Sequence, residues 1–331
     1  MNHHALIIGE FRKGKIDTTT FEILGVTHHL RNKGIKKVGV FLGSEKISPD
    51  EAHRPLQFGA NYVYGLENPI FNEFAFHVSA QIIIDVIQKF KPTIILAAAT
   101  TQGTTLMPYI ATKLHTGLTA DCTGFDIDPT DGKLLQIRPA IGGNIMATIK
   151  TQTYPQMATV RPNTFQPIHD EYPGSTVTIE KDENVYKSGY LTNEMIEYDQ
   201  NLDMAKAKII CSGGRGLKNS KNFSLVAELS HCLNGCVGGS RVAVEQGWVS
   251  FPHQVGLSGK TVSPDFYIAL GISGAIQHLA GMQTSRYILA INRDPDAQIF
   301  QISDFGIVGD VLEVIPQIIE IIKKRKKYES I

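Results

Sequence analysis

The sequence is short of several things that would point to particular functions. It has four cysteines, Cys122, Cys211, Cys232 and Cys236, in 331 residues. None forms a Cys-x-x-Cys pair, so neither a disulfide framework nor a thiolate metal site is indicated, and a reducing cytoplasm fits best. Basic and acidic residues balance, 32 against 32, so no net field draws the chain to nucleic acid or to an anionic membrane. No apolar run is long enough to span a bilayer. The chain enters an apolar strand, Ala5–Gly9, almost at once, without the pattern of a signal or transit peptide. The histidines are scattered, and no His-Glu-x-x-His is present, which argues against a metal centre. The one basic run, Lys323–Lys327, reads as the solvated end of a helix, with cations at the negative pole of its dipole.

What is present is a chain of two-domain length with 42% hydrophobic residues. The first half alternates strand-like and helix-like segments. Ala5–Gly9, Lys37–Leu42, Tyr62–Tyr64 and Thr93–Ala98 read as strands; Thr18–Arg31, Ala75–Phe90 and a segment ending at His115 read as helices. That alternation predicts a parallel sheet with helices on both faces. Beyond residue 118 come shorter strand-like runs, Leu118–Asp128, Leu134–Pro139, Asn144–Lys150 and Gln156–Val160, with a hairpin signal at Pro129–Lys133. We expect them to extend the sheet as antiparallel strands. Asp170–Leu202 is polar and aperiodic and is expected to be a linker, with the second domain starting near Met204. The second half alternates again. Ile209–Ser212, Gly235–Val237, Phe266–Leu270 and Tyr287–Ile291 read as strands. Asn222–His231, Val242–Gln246, Ser273–Ala280 and Val308–Lys323 read as helices.

The informative stretch runs from Cys211 to Asp310, where each apolar strand ends in glycine, serine or a polar residue. Parallel sheets hold ligands at those carboxyl ends, and glycine lets backbone approach a phosphate or a ring. Familiar motifs fail there. A dinucleotide fingerprint starting at Gly214 and Gly216 meets Asn219 where its third glycine belongs, and a P-loop ending in Gly259-Lys260-Thr261 meets Gln254 where its first belongs. No Gly-x-Ser-x-Gly elbow marks a serine hydrolase.

In order along the chain stand Ser212–Lys218 (SGGRGLK), Ser240-Arg241, Gln254–Gly256 (QVG), Ser258–Lys260 (SGK), Gly271–His278 (GISGAIQH), Ala290–Phe300 (AINRDPDAQIF) and Val308–Asp310 (VGD). Together these segments resemble the alpha subunit of electron-transfer flavoprotein. Leu96–Gly103 and Ala158–Arg161 agree more loosely. The resemblance implies an α/β protein of two domains. Residues 1–195 would form a Rossmann-like domain that pairs with a beta subunit, and residues 196–331 a parallel-sheet domain that binds FAD. It also implies electron traffic from a donor such as an acyl-CoA dehydrogenase to a second redox protein, with the chain a carrier more than an enzyme.

By the same resemblance, Arg241 stands near the flavin ring, where a fixed cation favours the reduced, negatively charged flavin. His278 donates to the pyrimidine edge at O2. Ser273, Gly274, Ala275, Ile276 and Gln277 open a helix whose backbone N–H groups face an electron-rich group. Arg215 reaches the pyrophosphate, with Ser240 beside it. Asn292 and Asp310 meet the adenosine end. Gln254, Val255, Gly256, Leu257 and Ser258 form the loop over the ring. Here the chain departs from the family, whose members often carry Gln-Thr where this one has Leu257-Ser258. The serine hydroxyl retains a hydrogen bond near flavin N5, but leucine supplies no side-chain amide. Two other readings remain open at this point. One is a subunit of an electron-bifurcating, NADH-dependent enoyl-CoA reductase complex; the other is a nucleotide-binding interaction module without a redox role.

Overall fold

Ala5–Ile8 is apolar at every position, and such a strand needs cover on both faces. In the computed structural model it is the core of β1 (His3–Gly9), with Ala5 and Ile7 in one apolar layer and Leu6 and Ile8 in the other. Residues 3–12, 14–72, 75–140, 145–184, 186, 204 and 207–329 are described. The chain divides into two units, Met1–Pro139 with Met146–Met195, and Ile196–Ile331 with Ala140–Ile145. The expected boundary at 195/196 lies outside the described residues, as does most of the expected linker beyond 186.

In the first unit, β1 is flanked by β2 (Ile35–Ser44) and then β3 (Tyr62–Glu67) on one side. On the other side lie β4 (Ile94–Ala98), β9 (Gln156–Val160) and β5 (Leu118–Cys122). With β10 (Thr176–Lys181) beside β3, the seven-stranded order is β10-β3-β2-β1-β4-β9-β5. Every pairing is parallel, and the core order 3-2-1-4 is that of dinucleotide-binding sheets. Helix α1 (Thr18–Leu30) covers one face through Phe21 and Leu24. Helices α2 (Phe76–Phe90) and α3 (Thr101–Lys113) cover the other through Ile83, Ile87, Leu106 and Ile110.

Three expectations are corrected here. The strands after residue 118 do not extend the sheet antiparallel: β5 and β9 join it in parallel. The antiparallel set, β6 (Gly124–Ile127), β7 (Leu134–Pro139) and β8 (Met146–Lys150), forms a separate three-stranded sheet. Leu118–Asp128 is therefore two strands in two sheets, divided at Thr123. The 170–202 stretch is not all linker, because β10 closes the sheet edge.

The second unit has five parallel strands: β11 (Ile209–Gly213), β12 (Cys236–Gly239), β13 (Phe266–Leu270), β14 (Tyr287–Asn292) and β15 (Phe305–Val308). Their order is β12-β11-β13-β14-β15. Relative to chain order this is 2-1-3-4-5, the flavodoxin-like winding. Helix α4 (Ser220–Cys232) is capped by Asn219, whose side chain accepts from the Asn222 amide. It packs with α7 (Val311–Glu329) through Phe223, Val226, Ile315 and Ile319. Strand β15 was not expected, and the last helix begins three residues later than predicted. At its basic end Lys323 pairs with Glu228 and Lys324 with Glu320, each at 2.7 Å. All four cysteines are buried and none is in a disulfide. Loss of water pushes the Cys122 and Cys211 thiols up to about 12, so neither is a thiolate at neutral pH.

Candidate functional site

A parallel sheet opens a crevice where two neighbouring strands send their connections in opposite directions. Both sheets have such a point. In the first unit it lies between β1 and β4, and it is closed. Glu10, which follows β1, is buried and accepts a hydrogen bond from Thr100 Oγ1 at 2.5 Å, while Thr100 caps α3 by accepting from the Gly103 amide at 3.1 Å. A carboxylate thus sits at the helix N-terminus where a phosphate would otherwise bind. The space left beside Glu10 and Gly103 is about 30 Å³, far too small for a nucleotide.

In the second unit the point lies between β11 and β13, and it is open. A cavity of about 800 Å³ spans the carboxyl ends of the strands. Its floor is backbone. The amides of Gly214 and Gly216 donate to the carbonyls of Leu270 and Gly271 at 2.9 and 3.0 Å. A Cβ on Gly216 would lie 2.7 Å from Gly271 Cα, and Gly271 itself has φ +63°, so the chains touch here only because both residues are glycine.

Side chains complete the wall. Arg215, Arg241 and Arg293 reach it, against one carboxylate, Asp294. Arg241 Nε is held by Glu245 at 2.7 Å on the same helical turn, α5 (Arg241–Glu245), and its side chain is 72% exposed. Arg215 and Arg293 have no ion pair among the described residues. Ser240 caps α5, its Oγ accepting from the Ala243 amide at 3.4 Å, which leaves its hydroxyl proton available. Ser258 Oγ accepts from Gln254 Nε2 at 3.1 Å, so its proton too can be donated into the cavity. Asn292 is committed to the backbone. Its Nδ2 donates to the Ile272 carbonyl at 2.9 Å, and its Oδ1 accepts from the Asp294 amide at 3.0 Å.

His278 lines the same cavity and is nearly inaccessible, at 7% exposure. Its Nε2 is 3.0 Å from the Tyr267 hydroxyl. Nδ1 is buried without a hydrogen bond in proper geometry, although the Val255 carbonyl is near enough to raise the ring's basicity slightly. Burial outweighs that and pushes the pKa down to about 4, so the ring is neutral at pH 7.

Twelve of the residues expected at the site line the cavity: Arg215, Ser240, Arg241, the run Val255–Ser258, Ser273, Ala275, Gln277, His278 and Asn292. Four do not. Gln254 is buried behind Ser258 and acts on it. Gly274, with φ +85°, packs its backbone on Ile299. Ile276 is exposed outside the wall. Asp310 is tied to Lys218 Nζ at 3.1 Å and caps α7 at the Leu312 amide. The helix expected from Ser273 is the single turn α6 (Ile276–Leu279), so the amides of Ser273 and Gly274 are not a helix N-terminus. Gly214, Gly216, Val242, Gly271, Ile272, Arg293 and Asp294 were missed. The glycine pair directly after a strand and the Arg-Asp after Asn292 were the available signals.

The volume lies in the range of cofactor pockets. Glycine backbone, two unpaired guanidiniums and two donor hydroxyls fit a long, anionic, ring-bearing ligand such as FAD. The family model of the electron transfer flavoprotein FAD-binding domain matches residues 203–283, and that of the electron transfer flavoprotein domain matches residues 5–184. The chain belongs to the electron transfer flavoprotein family. An electron transfer flavoprotein subunit alpha of Thermoanaerobacterium thermosaccharolyticum is 45% identical over 328 residues, 97% of this chain and 98% of that one. The LctC subunit of a lactate dehydrogenase (NAD(+),ferredoxin) from Acetobacterium woodii is 39% identical, across 94% of this chain and 75% of its own length. An acryloyl-CoA reductase electron transfer subunit beta from Anaerotignum propionicum is 37% identical, across 96% and 95%.

As an electron transfer flavoprotein alpha subunit, the chain carries FAD in its C-terminal domain and has a beta subunit as its partner. That displaces the reading as a module without a redox role. Among the described residues no helix is long and apolar enough to cross a membrane, and no cluster of His, Cys, Asp and Glu is arranged to hold a metal ion.

Proposed function

We propose that this alpha subunit, in a cytoplasmic heterodimer, takes electrons from a flavin dehydrogenase of the acyl-CoA dehydrogenase type and passes them to a second redox protein. The observation that carries the reading is the open, glycine-floored crevice at the β11/β13 switch point, with its excess of positive charge. Bound there, FAD supplies the electron transfer that no side chain of the cavity can perform. The protein's part is to hold it and to set its potential.

Arg215 and Arg293 are the groups for the pyrophosphate, since their guanidiniums are not committed elsewhere. Ser240 donates beside them. Ser258, oriented by Gln254, donates to the ring, and Leu257, 65% exposed, covers it with apolar surface. Arg241 adds positive charge near the ring, tempered by Glu245. Asn292 and Asp310 shape the adenosine end through the backbone contacts and the helix cap they hold.

A second reading is favoured by two relatives, one whose name pairs NAD(+) with ferredoxin and one that belongs to an acyl-CoA reductase. In it the chain is a subunit of an electron-bifurcating complex that oxidises NADH. Counting flavin in the purified heterodimer, with an assay of NADH oxidation, separates the two. One FAD with AMP and no NADH oxidation supports the simple carrier; two FAD with NADH oxidation supports bifurcation. A well-folded heterodimer without FAD would sink both.

A further inference from the structure

Lys218 is held in a backbone conformation that a lysine avoids, with φ +71° and ψ −36°. Lys91, which closes α2 at φ +47° and ψ +54°, lies in the ordinary left-handed basin. Lys218 lies outside that basin, where glycine is the residue that fits without strain. The Asn219 amide donates back to the Leu217 carbonyl at 2.9 Å, which makes Leu217–Asn219 a γ-turn of the rare, strained hand. The same carbonyl accepts from Asn222 Nδ2 at 2.8 Å, and Asn219 caps α4, so the turn is fixed from the helix side.

The side chain gives the reason for a lysine here. Its Nζ stands 3.1 Å from Asp310 Oδ2, while Asp310 Oδ1 accepts from the Leu312 amide at 2.9 Å and so caps α7. One lysine thus ties together the starts of the two helices that pack on this face. As a stability device the arrangement loses. Strain of this kind costs a factor of roughly 5 to 150 in the folding equilibrium. An ion pair whose side chains are 49% and 30% exposed returns about a factor of 5 at most. A glycine would make a fold at least as firm, even with its greater freedom in the unfolded chain counted.

What the lysine alters is charge beside the cavity. Asp310 follows β15, where the Gly309 amide donates to the Asn292 carbonyl at 3.0 Å, and Arg293 is the residue after Asn292. The Leu312 amide and then Lys218 hold the Asp310 carboxyl below the ordinary carboxylate range, and Arg293 adds the smallest pull. The carboxylate is therefore ionised and within the field of Arg293, yet among the described residues Lys218 is its one ion-pair partner. Freed of Lys218, it would draw the Arg293 guanidinium towards itself and away from the cavity that Arg293 lines.

We propose that Lys218 is a positioning residue of the FAD site: its ammonium holds Asp310 and so leaves the Arg293 guanidinium free for the pyrophosphate. The strained turn is what sets the ammonium in place. This rests on the assignment of Arg293 to the pyrophosphate made above.

The test measures two quantities on the heterodimer: the dissociation constant of FAD, by titration of the flavin-free form, and the urea midpoint of that same form. Lys218→Gly should weaken FAD binding about tenfold, while the flavin-free protein unfolds at the wild-type urea concentration or above it. Lys218→Arg keeps a cation for Asp310 and should restore most of the affinity. Arg293→Ala should itself weaken FAD about tenfold. Adding Lys218→Gly to it should cost little more, because no guanidinium is left to divert. A Lys218→Gly protein that binds FAD as the wild type does overturns the proposal. So does one that loses affinity and urea resistance together, which is what a merely structural lysine would give. Full additivity of the two substitutions overturns the route through Arg293. Unchanged affinity in Arg293→Ala removes Arg293 from the pyrophosphate, and overturns that placement of the ligand along with the proposal.

Discussion

Two parallel sheets in one chain reach the same topological situation and treat it in opposite ways. At the β1/β4 point of the first unit, Glu10, bonded to Thr100, lines a space of about 30 Å³. At the β11/β13 point of the second, Gly214, Gly216 and Gly271 leave about 800 Å³. The winding supplies a place for an anion in both cases. What differs is whether the first side chain beyond the strand fills that place. An acidic residue after β1 supplies the negative charge from within; glycines after β11 leave the backbone bare beside three arginines, of which Arg241 alone has an ion pair among the described residues, to Glu245. The two crevices differ at two or three positions on a winding that offers the place twice.

The largest effect should come from filling the open crevice. Gly216→Val would press its side chain into the Gly271 backbone and should weaken FAD retention by about a hundredfold or more. Absorbance after gel filtration measures the flavin, and circular dichroism checks the fold. A folded variant that keeps one FAD would show that the switch point is not the flavin's seat.

Acid should come next. The folded-state pKa of His278, about 4, lies below the ordinary 6.5, so between those values the unfolded chain binds a proton that the native state refuses. Stability then falls as pH drops from about 6.5 towards 4, by roughly 3 kcal/mol in all. Denaturant melts across that window should show the slope, and His278→Gln should flatten it. An equal slope in the variant would mean that other groups carry it.

Emptying the closed crevice is the converse experiment. Glu10→Ala deletes the carboxylate bonded to Thr100 and should cost about 2 kcal/mol of stability, while leaving the flavin content unchanged. Loss of FAD, or a nucleotide gained, would break the contrast between the two sheets.

The smallest effect belongs to the exposed cation. Arg241→Ala should lower the first reduction potential by about 60 mV, equivalent to about 1.4 kcal/mol. Glu245→Gln, which frees the guanidinium, should raise it by less. In a potentiometric titration, a fall of less than about 20 mV, or a rise, would move the flavin away from Ser240-Arg241.

Much of this was legible in the sequence because burial on both faces writes itself as apolar runs. Ala5–Ile8, Ile94–Ala98 and Tyr267–Leu270 are such runs, and the Pro129–Lys133 turn announced its hairpin. What failed was direction and edge. Periodicity marks Leu118–Cys122 and Gln156–Val160 as strands but does not say whether they run parallel. Thr176–Lys181 and Phe305–Val308 are edge strands, exposed along most or all of their length, so no buried alternation marks them. At the site, motif residues brought in most of the wall. The glycine floor was seen as a motif and not as a surface. The Tyr267–His278 contact joins two buried residues eleven apart, across a loop that no local pattern predicts.

The late edge strand has a consequence for how the protein is made. Strand β3 is apolar on both faces and pairs with β2 early in the chain, but its other edge stays unpaired until Thr176–Lys181 has been synthesised. During translation an open ladder of backbone groups is on offer to any neighbouring nascent chain, and pairings so distant in sequence form slowly. The polar Glu180, reaching Tyr64 at 2.6 Å and Lys89 at 3.1 Å, pins the arriving strand to the far side of that edge. A fragment ending before Thr176 would lack this cover, and its exposed edge would make it aggregate where the longer chain stays dispersed.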